Sequence, residues 1–216
     1  MAPPTLAAPS QRTPLPLEPL TPSAFTRFGT AIQKPDSNNT GSSITANQGT
    51  ASKHARISPV SSFYPPTSPA ATTNLNLFVC APRRSLTPEG IFHVKILERH
   101  PYTTQTFIPL SLSSSPDAAT YYVVIVAPTG KDGMPVLEEL RAFRARGDQA
   151  VTYSAGTWHA PMVVVGERPV EFCVLVAENG TALDCEEVFI GGGGVPVKVV
   201  GEGNWGLWEK TRGAKL

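Results

Sequence analysis

Short segments rich in β-branched and aromatic residues recur from residue 75 to residue 190, and turn-forming residues separate them. Branched and aromatic side chains suit the pleated surface of a strand, whereas Gly, Pro, Asn and Asp favour turns. We therefore predict a mainly β fold, either an antiparallel β-barrel or a jelly roll. The predicted strands span residues 75–80, 91–100, 106–110, 121–128, 150–153, 161–165, 170–177 and 187–190.

Two segments carry helix signals, so we also expect a few short helices. Near the N-terminus, Thr21 can cap a short helix, Pro22 suits its first position and Gly29 can end it. Residues 135–147 begin with a proline and end at a glycine, and their apolar residues recur at helical spacing. This second segment is the clearest helix that the sequence predicts.

The 22 prolines divide the chain into regions. Residues 1–16 are rich in proline and poor in core residues, which predicts a disordered N-terminal tail. Similar composition near residues 34–45 and 58–73 predicts two mobile insertions. We expect one folded domain at residues 17–190, because this length suits a single hydrophobic core.

Residues 191–216 are predicted to form a glycine-rich connection and a C-terminal arm. The segment 201–206 matches the pattern G-x-G-x-x-G, but too few residues follow it to build a dinucleotide-binding unit. No nucleotide cofactor is therefore expected. Trp205 and Trp208 in the arm can pack on the body of the protein or on a second subunit.

Charge and cysteine content exclude several classes of protein. Eighteen Lys and Arg against 17 Asp and Glu give a net charge of +1 without a basic run, so we expect neither nucleic acid nor membrane as a partner. The apolar run 121–127 is too short to cross a bilayer, and the proline-rich N-terminus does not resemble a signal peptide. Three widely spaced cysteines indicate neither a disulfide framework nor a structural zinc site. We expect a cytoplasmic protein.

Polar residues interrupt the strand pattern at the end of segment 91–100. Phe92, Val94 and Ile96 alternate with their neighbours and define an apolar face. When the alternation is continued, Glu98 and His100 fall on that same face. Burying a carboxylate and an imidazole without partners is costly, so we expect these groups to be paired there or used there.

The spacing of these residues is typical of cupin barrels, whose motifs H-x-H-x(3,4)-E and G-x-x-H converge on a metal. Glu98, His100 and Gln105 occupy the first pattern, with Glu in place of the first His and Gln in place of the Glu, and Gly156-x-x-His159 occupies the second. Glu98, His100, Gln105 and His159 could therefore bind one divalent ion, for which nickel or zinc suits the imidazoles. The same set would serve equally as a metal-free acid–base site, and the spacing does not choose between the two.

Residues 97–110 (LERHPYTTQTFIPL) and 157–161 (TWHAP) closely resemble the signature segments of the ureidoglycolate lyase family, formerly called ureidoglycolate hydrolase. Further resemblances follow in the family's order and extend the match to roughly residues 17–190. They are PLTPSAFTRFG at 19–29, NQGTA at 47–51, LRAF at 140–143 and DCE at 184–186. The long insertions and the region after residue 191 resemble a fungal-type elaboration of a compact bacterial pattern.

The resemblance implies a cupin-like fold, a homodimer and cleavage of (S)-ureidoglycolate to glyoxylate and urea in allantoin catabolism. His100 would be the base or a metal ligand, with His159 as its partner and Glu98 as a third proton-transfer group. Gln105 would orient the ureido group, and Trp158 would form a wall that limits water. The remaining substrate-binding candidates are Asn47 and Lys53 for the carboxylate or ureido oxygen, and Asp184, for which a loop role is equally expected.

Two alternatives and one exclusion accompany this interpretation. Hydrolysis of the ureido amide to ammonia and carbon dioxide usually recruits a pair of metals with several histidines, and the chain has only four. A non-catalytic module that merely binds a small acid would not need a proton-transfer set. Strand alternation points Arg99 away from Glu98 and His100, which favours a structural ion pair or a subunit contact over substrate binding.

Overall fold

The computed structural model describes residues 2–10, 13–35 and 43–200, and within them seventeen strands dominate the fold. In these described ranges, helical structure is limited to one short helix, α1 (Pro22–Phe25), and two 3₁₀ turns (Asn47–Gly49 and Leu137–Glu139). The strands are β1 (Thr5–Leu6), β2 (Leu17–Pro19), β3 (Gly29–Ile32), β4 (Ser43–Ala46), β5 (Ala51–His54), β6 (Thr72–Cys80), β7 (Ile91–Val94), β8 (Ile96–Arg99), β9 (Gln105–Leu110), β10 (Tyr121–Ala127), β11 (Arg141–Ala145), β12 (Ala150–Tyr153), β13 (Trp158–His159), β14 (Val163–Val165), β15 (Val170–Glu178), β16 (Glu186–Ile190) and β17 (Val195–Lys198).

Two sheets form the body of the protein. The larger has eight strands in the order β1-β16-β8-β13-β10-β11-β2, with β14 also paired to β10. The smaller has five strands in the order β3-β12-β9-β15-β6. The mainly β prediction is confirmed. Strand pairing within the described residues gives two sheets packed together, rather than one sheet closed on itself.

Each face of the large sheet contributes to its own hydrophobic cluster. One cluster lies between the two sheets and includes Tyr122 and Phe143 from the large sheet and Phe107 and Phe172 from the small one. The other, which we call the outer cluster, lies on the opposite face of the large sheet, where β7 and β17 contribute Val94 and Val197. Because it is covered on both faces, β10 is buried at every residue and shows no polar–apolar alternation.

The predicted strands correspond to observed ones, with two local breaks. Segment 91–100 is interrupted at the exposed Lys95, and segment 161–165 forms a strand only at Val163–Val165. The N-terminal helix is confirmed but short. Its cap is the predicted one, because the Thr21 hydroxyl accepts a hydrogen bond from the backbone N–H of Ala24 at 3.2 Å.

The helix predicted for residues 135–147 is wrong. Only Leu137–Glu139 forms a 3₁₀ turn, and Arg141–Ala145 is strand β11, paired antiparallel to β10. Ala142 packs into the outer cluster while Phe143 packs between the sheets. A strand buried on both faces has apolar residues without a period of two, and this spacing resembled the apolar stripe of a helix.

The break at Lys95 also changes the phase of the predicted alternation. Val94 and Leu97, predicted to lie on opposite faces, both belong to the outer cluster. Glu98 therefore faces away from Val94, toward the space between the two sheets. The core-facing position of Glu98 is retained, but it faces a different core from the one that the alternation predicted.

Strand pairing extends beyond the predicted domain limits of 17 and 190. Thr5–Leu6 pairs in parallel with β16, and Val195–Lys198 pairs with β7. Within segment 58–73, Ser62 forms a bridge with Thr103. Residues 36–42 of the first predicted insertion lie outside the described residues.

Trp205, Trp208 and the glycine pattern at 201–206 also lie outside the described residues. In the part of the chain that the structure does describe, no helix has the length and apolar character needed to cross a membrane.

Candidate active site

Neighbouring strands of the large sheet bring Glu98 and His159 together. β13 pairs with β8 so that His159 lies directly opposite Glu98, and paired residues project from the same face of a sheet. Nε2 of His159 lies 3.5 Å from Oε1 of Glu98, which is an ion-pair distance but long for a hydrogen bond. The His159 side chain is 1 % exposed and that of Glu98 is 24 % exposed, so Glu98 marks the solvent side of the site.

His100 completes the cluster from the end of β8. Its ring centroid lies 5.7 Å from that of His159, and ligand-type atoms of Glu98, His100 and His159 all lie within 4.8 Å of one another. The G-x-x-H motif contributes to this placement. Gly156 has a φ of +78°, which favours glycine, and its N–H donates to the His100 carbonyl at 2.8 Å.

Backbone carbonyls determine which nitrogen of each imidazole faces the site. Nδ1 of His100 lies 2.7 Å from the carbonyl of Asp184, and Nδ1 of His159 lies 2.9 Å from the carbonyl of Thr157. A carbonyl only accepts hydrogen bonds, so each Nδ1 must carry a proton. In the neutral rings, Nε2 is therefore left as a lone-pair donor, the arrangement usual for metal-ligating histidines.

Gln105 faces the space between the two sheets from the side of the small sheet. It lies opposite Tyr153 of β12, and its side chain is on the inward face with that of Phe107. The residue is 5 % exposed, and its Oε1 has no hydrogen-bond partner within the described residues. The Nε2 atoms of His100 and His159 are also buried and unpartnered. Such groups are costly to bury, so they favour a ligand in the space that they share.

The electrostatics favour an ionised Glu98 beside a neutral His100. Burial raises the pKa of the Glu98 carboxyl, but the interaction with His159 and the charge of His100 outweigh burial and lower the pKa overall. For His100, burial and then the charge of His159 lower the pKa, against the opposing effects of the Asp184 carbonyl and the Glu98 and Glu178 carboxylates. The site thus holds a carboxylate, which accepts, next to an imidazole with a free lone pair.

Tyr153 is a site residue that sequence reasoning missed. Its ring stacks on that of His159, with centroids 4.0 Å apart and planes at 12°, so the imidazole is fixed between the sheets. The sequence placed Tyr153 at the end of a predicted strand. The pairing register, which that pattern does not contain, aligns it with Gln105.

Trp158 and Arg99 do not face this cluster. Trp158 precedes His159 in β13 and therefore projects from the opposite face, into the outer cluster. The Arg99 guanidinium lies 4.7 Å from the centre of the indole ring and forms an ion pair with Glu186. The structural ion pair expected for Arg99 is confirmed, whereas Trp158 is not brought to the site.

Asp184 contacts the site through its backbone and not through its side chain. Its carboxylate accepts hydrogen bonds from the Tyr64 hydroxyl at 2.6 Å and from the N–H groups of Asn179 and Gly180. These contacts fold the loop that presents the Asp184 carbonyl to His100. Tyr64, from the predicted insertion 58–73, is a second residue that the sequence reasoning missed.

Asn47 and Lys53 lie in the hairpin formed by β4 and β5. Both are exposed, and Asn47 has a φ of +48°, in the left-handed region. Their side chains make no hydrogen bond to the Glu98 cluster among the described residues. Their predicted roles in substrate binding stay predictions.

Comparison with known proteins identifies the family. The family model described as Ureidoglycolate lyase matches residues 12–197. A protein of Schizosaccharomyces pombe named Ureidoglycolate lyase is 42 % identical over 171 residues, covering 76 % of this chain and 85 % of its own. Proteins of the same name from Saccharomyces cerevisiae and Stutzerimonas stutzeri are 39 % and 31 % identical, covering 75 % and 81 % of this chain and 85 % and 89 % of their own. The chain belongs to the ureidoglycolate lyase family.

Proposed function

We propose that this protein is a carbon–nitrogen lyase that cleaves (S)-ureidoglycolate to glyoxylate and urea in purine catabolism. The observation that carries the proposal is the cluster of Glu98, His100 and His159, whose ligand-type atoms lie within 4.8 Å of one another. Membership of the ureidoglycolate lyase family supports the same activity. Unpartnered buried atoms beside an ionised carboxylate suit proton transfer better than simple binding.

The reaction needs one proton removed and one supplied. The reacting carbon carries a hydroxyl, a carboxylate and the ureido nitrogen. When the hydroxyl proton is removed, the carbon–oxygen bond becomes the aldehyde carbonyl of glyoxylate and the carbon–nitrogen bond breaks. The electron pair of that bond leaves with urea, whose nitrogen takes up a proton.

His100 is the proposed base, because its Nε2 is unpartnered and its lowered pKa keeps the ring neutral. His159 is the proposed acid: in its cationic form, beside the ionised Glu98, it delivers the Nε2 proton to the departing nitrogen. Gln105 would accept a hydrogen bond from the ureido group through its unpartnered Oε1. Asn47 and Lys53 are proposed for the substrate carboxylate, to which a lysine would supply charge.

The same atoms fit a divalent metal. Glu98, His100 and His159 offer one carboxylate and two Nε2 atoms, with Gln105 as a weak fourth ligand, and this donor set suits nickel or zinc. A bound ion would supply an electrophile for an oxygen of the substrate. Chelation with metal analysis of the same sample separates this role from metal-free proton transfer.

We also propose that the protein is a cytoplasmic homodimer. Its three cysteines, Cys80, Cys173 and Cys185, are free, which suits a reducing compartment. The small sheet has an exposed apolar outer face, formed by Leu75, Leu77 and Val79 of the edge strand β6 and by Ile108 and Leu110 of the central strand β9. Monomers rarely expose apolar groups so contiguously, and a second copy related by a two-fold axis would cover this face with its own.

A product assay tests the proposed reaction. Purified protein should release glyoxylate and urea from ureidoglycolate in equal amounts, and Glu98→Ala, His100→Ala and His159→Ala should each lower turnover about 10²-fold or more. Ammonia in place of urea would instead support the amidohydrolase. Absence of turnover in the wild-type protein would favour a binding module, and unchanged turnover in all three variants would contradict the site.

A further inference from the structure

Three polar residues of the small sheet, Asn74, Asn76 and Glu178, have no role in the reaction described above. In the small sheet, Gln105 pairs with Val176, which pairs with Asn74 on the edge strand β6. Residues paired in this way project from the same face, so Asn74 faces inward with Gln105. Asn76 lies two residues from Asn74 on β6, and Glu178 lies two residues from Val176 on β15, so both also face inward.

These three residues form a connected unit. Nδ2 of Asn76 donates to Oε2 of Glu178 at 3.2 Å, and Nδ2 of Asn74 donates to the same oxygen at 3.5 Å. Oε1 of Glu178 makes no hydrogen bond within the described residues. The carboxylate is thus held through one oxygen and free to accept through the other.

Along the small sheet, these polar residues lie at the same end of the strands as Gln105. Along the inward face of β15, Phe172, Val174 and Val176 are buried and apolar, and Glu178 follows them. Inward residues of β6 change in the same way, from Phe78 to Asn76. The inward face of the small sheet thus changes from apolar to polar at the same end of both strands.

The negative charge of Glu178 determines which end of ureidoglycolate these residues can bind. A carboxylate at Glu178 repels the substrate carboxylate, so the two negative groups must lie apart. A ureido group carries two N–H donors on the same side, and the free Oε1 of Glu178, with its two lone pairs, can accept from them. The amides of Asn74 and Asn76 retain a second N–H each, which suits the ureido oxygen.

We propose that Asn74, Asn76 and Glu178 form a ureido subsite, which binds the urea end of the substrate and determines specificity for it. The inference rests on the proposed lyase function and deepens it. Glu98, His100 and His159 act on the carbinol carbon, and the ureido subsite holds the departing group.

Two stable analogues test the subsite without turnover. Ureidoacetate carries the ureido group and the carboxylate but lacks the hydroxyl, whereas glycolate lacks the ureido group. Glu178→Gln preserves the shape of the side chain and removes its charge. We expect it to weaken the binding of ureidoacetate, measured by calorimetry, at least about tenfold, because hydrogen bonds to charged groups are the strong ones. Glycolate binding should be unchanged or tighter.

Glu167→Gln is the control, since Glu167 is an exposed carboxylate in the loop before β15 and belongs neither to the subsite nor to the proposed dimer face. It should leave the binding of both analogues unchanged. Asn76→Ala should weaken ureidoacetate binding in the same direction as Glu178→Gln but less. Wild-type affinity for ureidoacetate in Glu178→Gln, or an equal loss for both analogues, would overturn the subsite. Ureidoacetate binding by wild-type protein that does not cleave ureidoglycolate would overturn the lyase proposal and leave the subsite standing.

Discussion

His100 and His159 present Nε2 toward Glu98 because the other nitrogen of each ring is bound to a backbone carbonyl. The protonation state of these residues therefore depends on backbone geometry as well as on burial. Burial lowers the pKa of His100, and the adjacent His159 lowers it further. The orientation and protonation of the two histidines thus depend on a few short contacts, each of which can be tested by a single substitution.

The pH dependence of catalysis should report the state of His100. Its pKa lies below the ordinary value of 6.5, so the neutral base persists at pH values where a free histidine is charged. We expect the acid limb of kcat/KM to fall below pH 6.5, with an apparent value that belongs to the coupled cluster. The free energy of unfolding should also decrease as the pH falls below about 6.5, because His100 is protonated in the unfolded chain before it is protonated in the folded one.

His93→Gln serves as the control for this pH profile, since His93 lies on β7 and outside the cluster. Its profile should match that of the wild-type protein. An acid limb above pH 6.5 in the wild-type enzyme would contradict a neutral, desolvated His100 as the base.

Among the elements, the segment containing Tyr64 connects a predicted insertion to the active site. Phe63 donates its N–H to the carbonyl of Tyr102, and the Tyr64 and Tyr102 rings pack at 5.6 Å. The Tyr64 hydroxyl then reaches Asp184, whose carbonyl holds His100. Tyr64 is accordingly a positioning residue and not a catalytic one.

Tyr64→Phe tests this role. The change removes the hydroxyl that donates to the Asp184 carboxylate and also lies 3.1 Å from the Ala177 carbonyl. A hydrogen bond to a charged group is worth about 1.5–3 kcal/mol. We expect kcat to fall several-fold with little change in KM, and the acid limb of the pH profile to move as the hold on His100 loosens. Tyr102→Phe keeps the ring contact and should behave as wild type. A loss of thermal stability without a shift of the pH profile would show a purely structural role.

Strand β11 shows tertiary packing overriding local pattern. Phe143 is fully buried and packs edge-on against Phe25, with centroids 5.5 Å apart. We expect Phe143→Ala to lower the free energy of unfolding by about 3–5 kcal/mol in a denaturant titration, because it leaves a large cavity. Val60→Ala, at a site that is 60 % exposed and outside the proposed dimer face, should change it by less than about 1 kcal/mol. Comparable losses in both variants would contradict this assignment of the core.

At the scale of the whole molecule, the candidate active site and the proposed dimer face lie on opposite sides of the small sheet. The active site lies between the two sheets, and the apolar outer face lies on the opposite side of the small sheet. A contact through that face would leave the mouth beside Glu98 open. The proposed dimer therefore does not require that subunits exchange catalytic groups.

Leu77→Lys tests the proposed dimer. Leu77 is 64 % exposed at the centre of the apolar outer face, so a charge there should convert dimers to monomers in sedimentation velocity without unfolding the chain. Ile44→Lys, at an exposed site in the β4–β5 hairpin, should remain dimeric. A wild-type protein that sediments as a monomer at micromolar concentration would exclude the dimer.

Local pattern was sufficient for most of the strands, and it pointed to part of the candidate site. Glu98 and His100 stood out because polar groups occupied positions where a strand pattern demands apolar ones, and Gln105 and His159 followed from the spacing of the two cupin motifs. Local pattern failed at 135–147, because a strand covered on both faces loses the alternation that distinguishes it from a helix.

The sequence by itself determined the mainly β class, most strand positions and the residue types that gather at the site, because alternation and turn chemistry are local properties. Only the tertiary structure decided which faces meet. Register placed Tyr153 beside His159, turned Trp158 to the other face and aligned Asn74 with Gln105. The physical reason is that register depends on pairing between distant segments, and a shift of one residue sends every side chain of a strand to the opposite face.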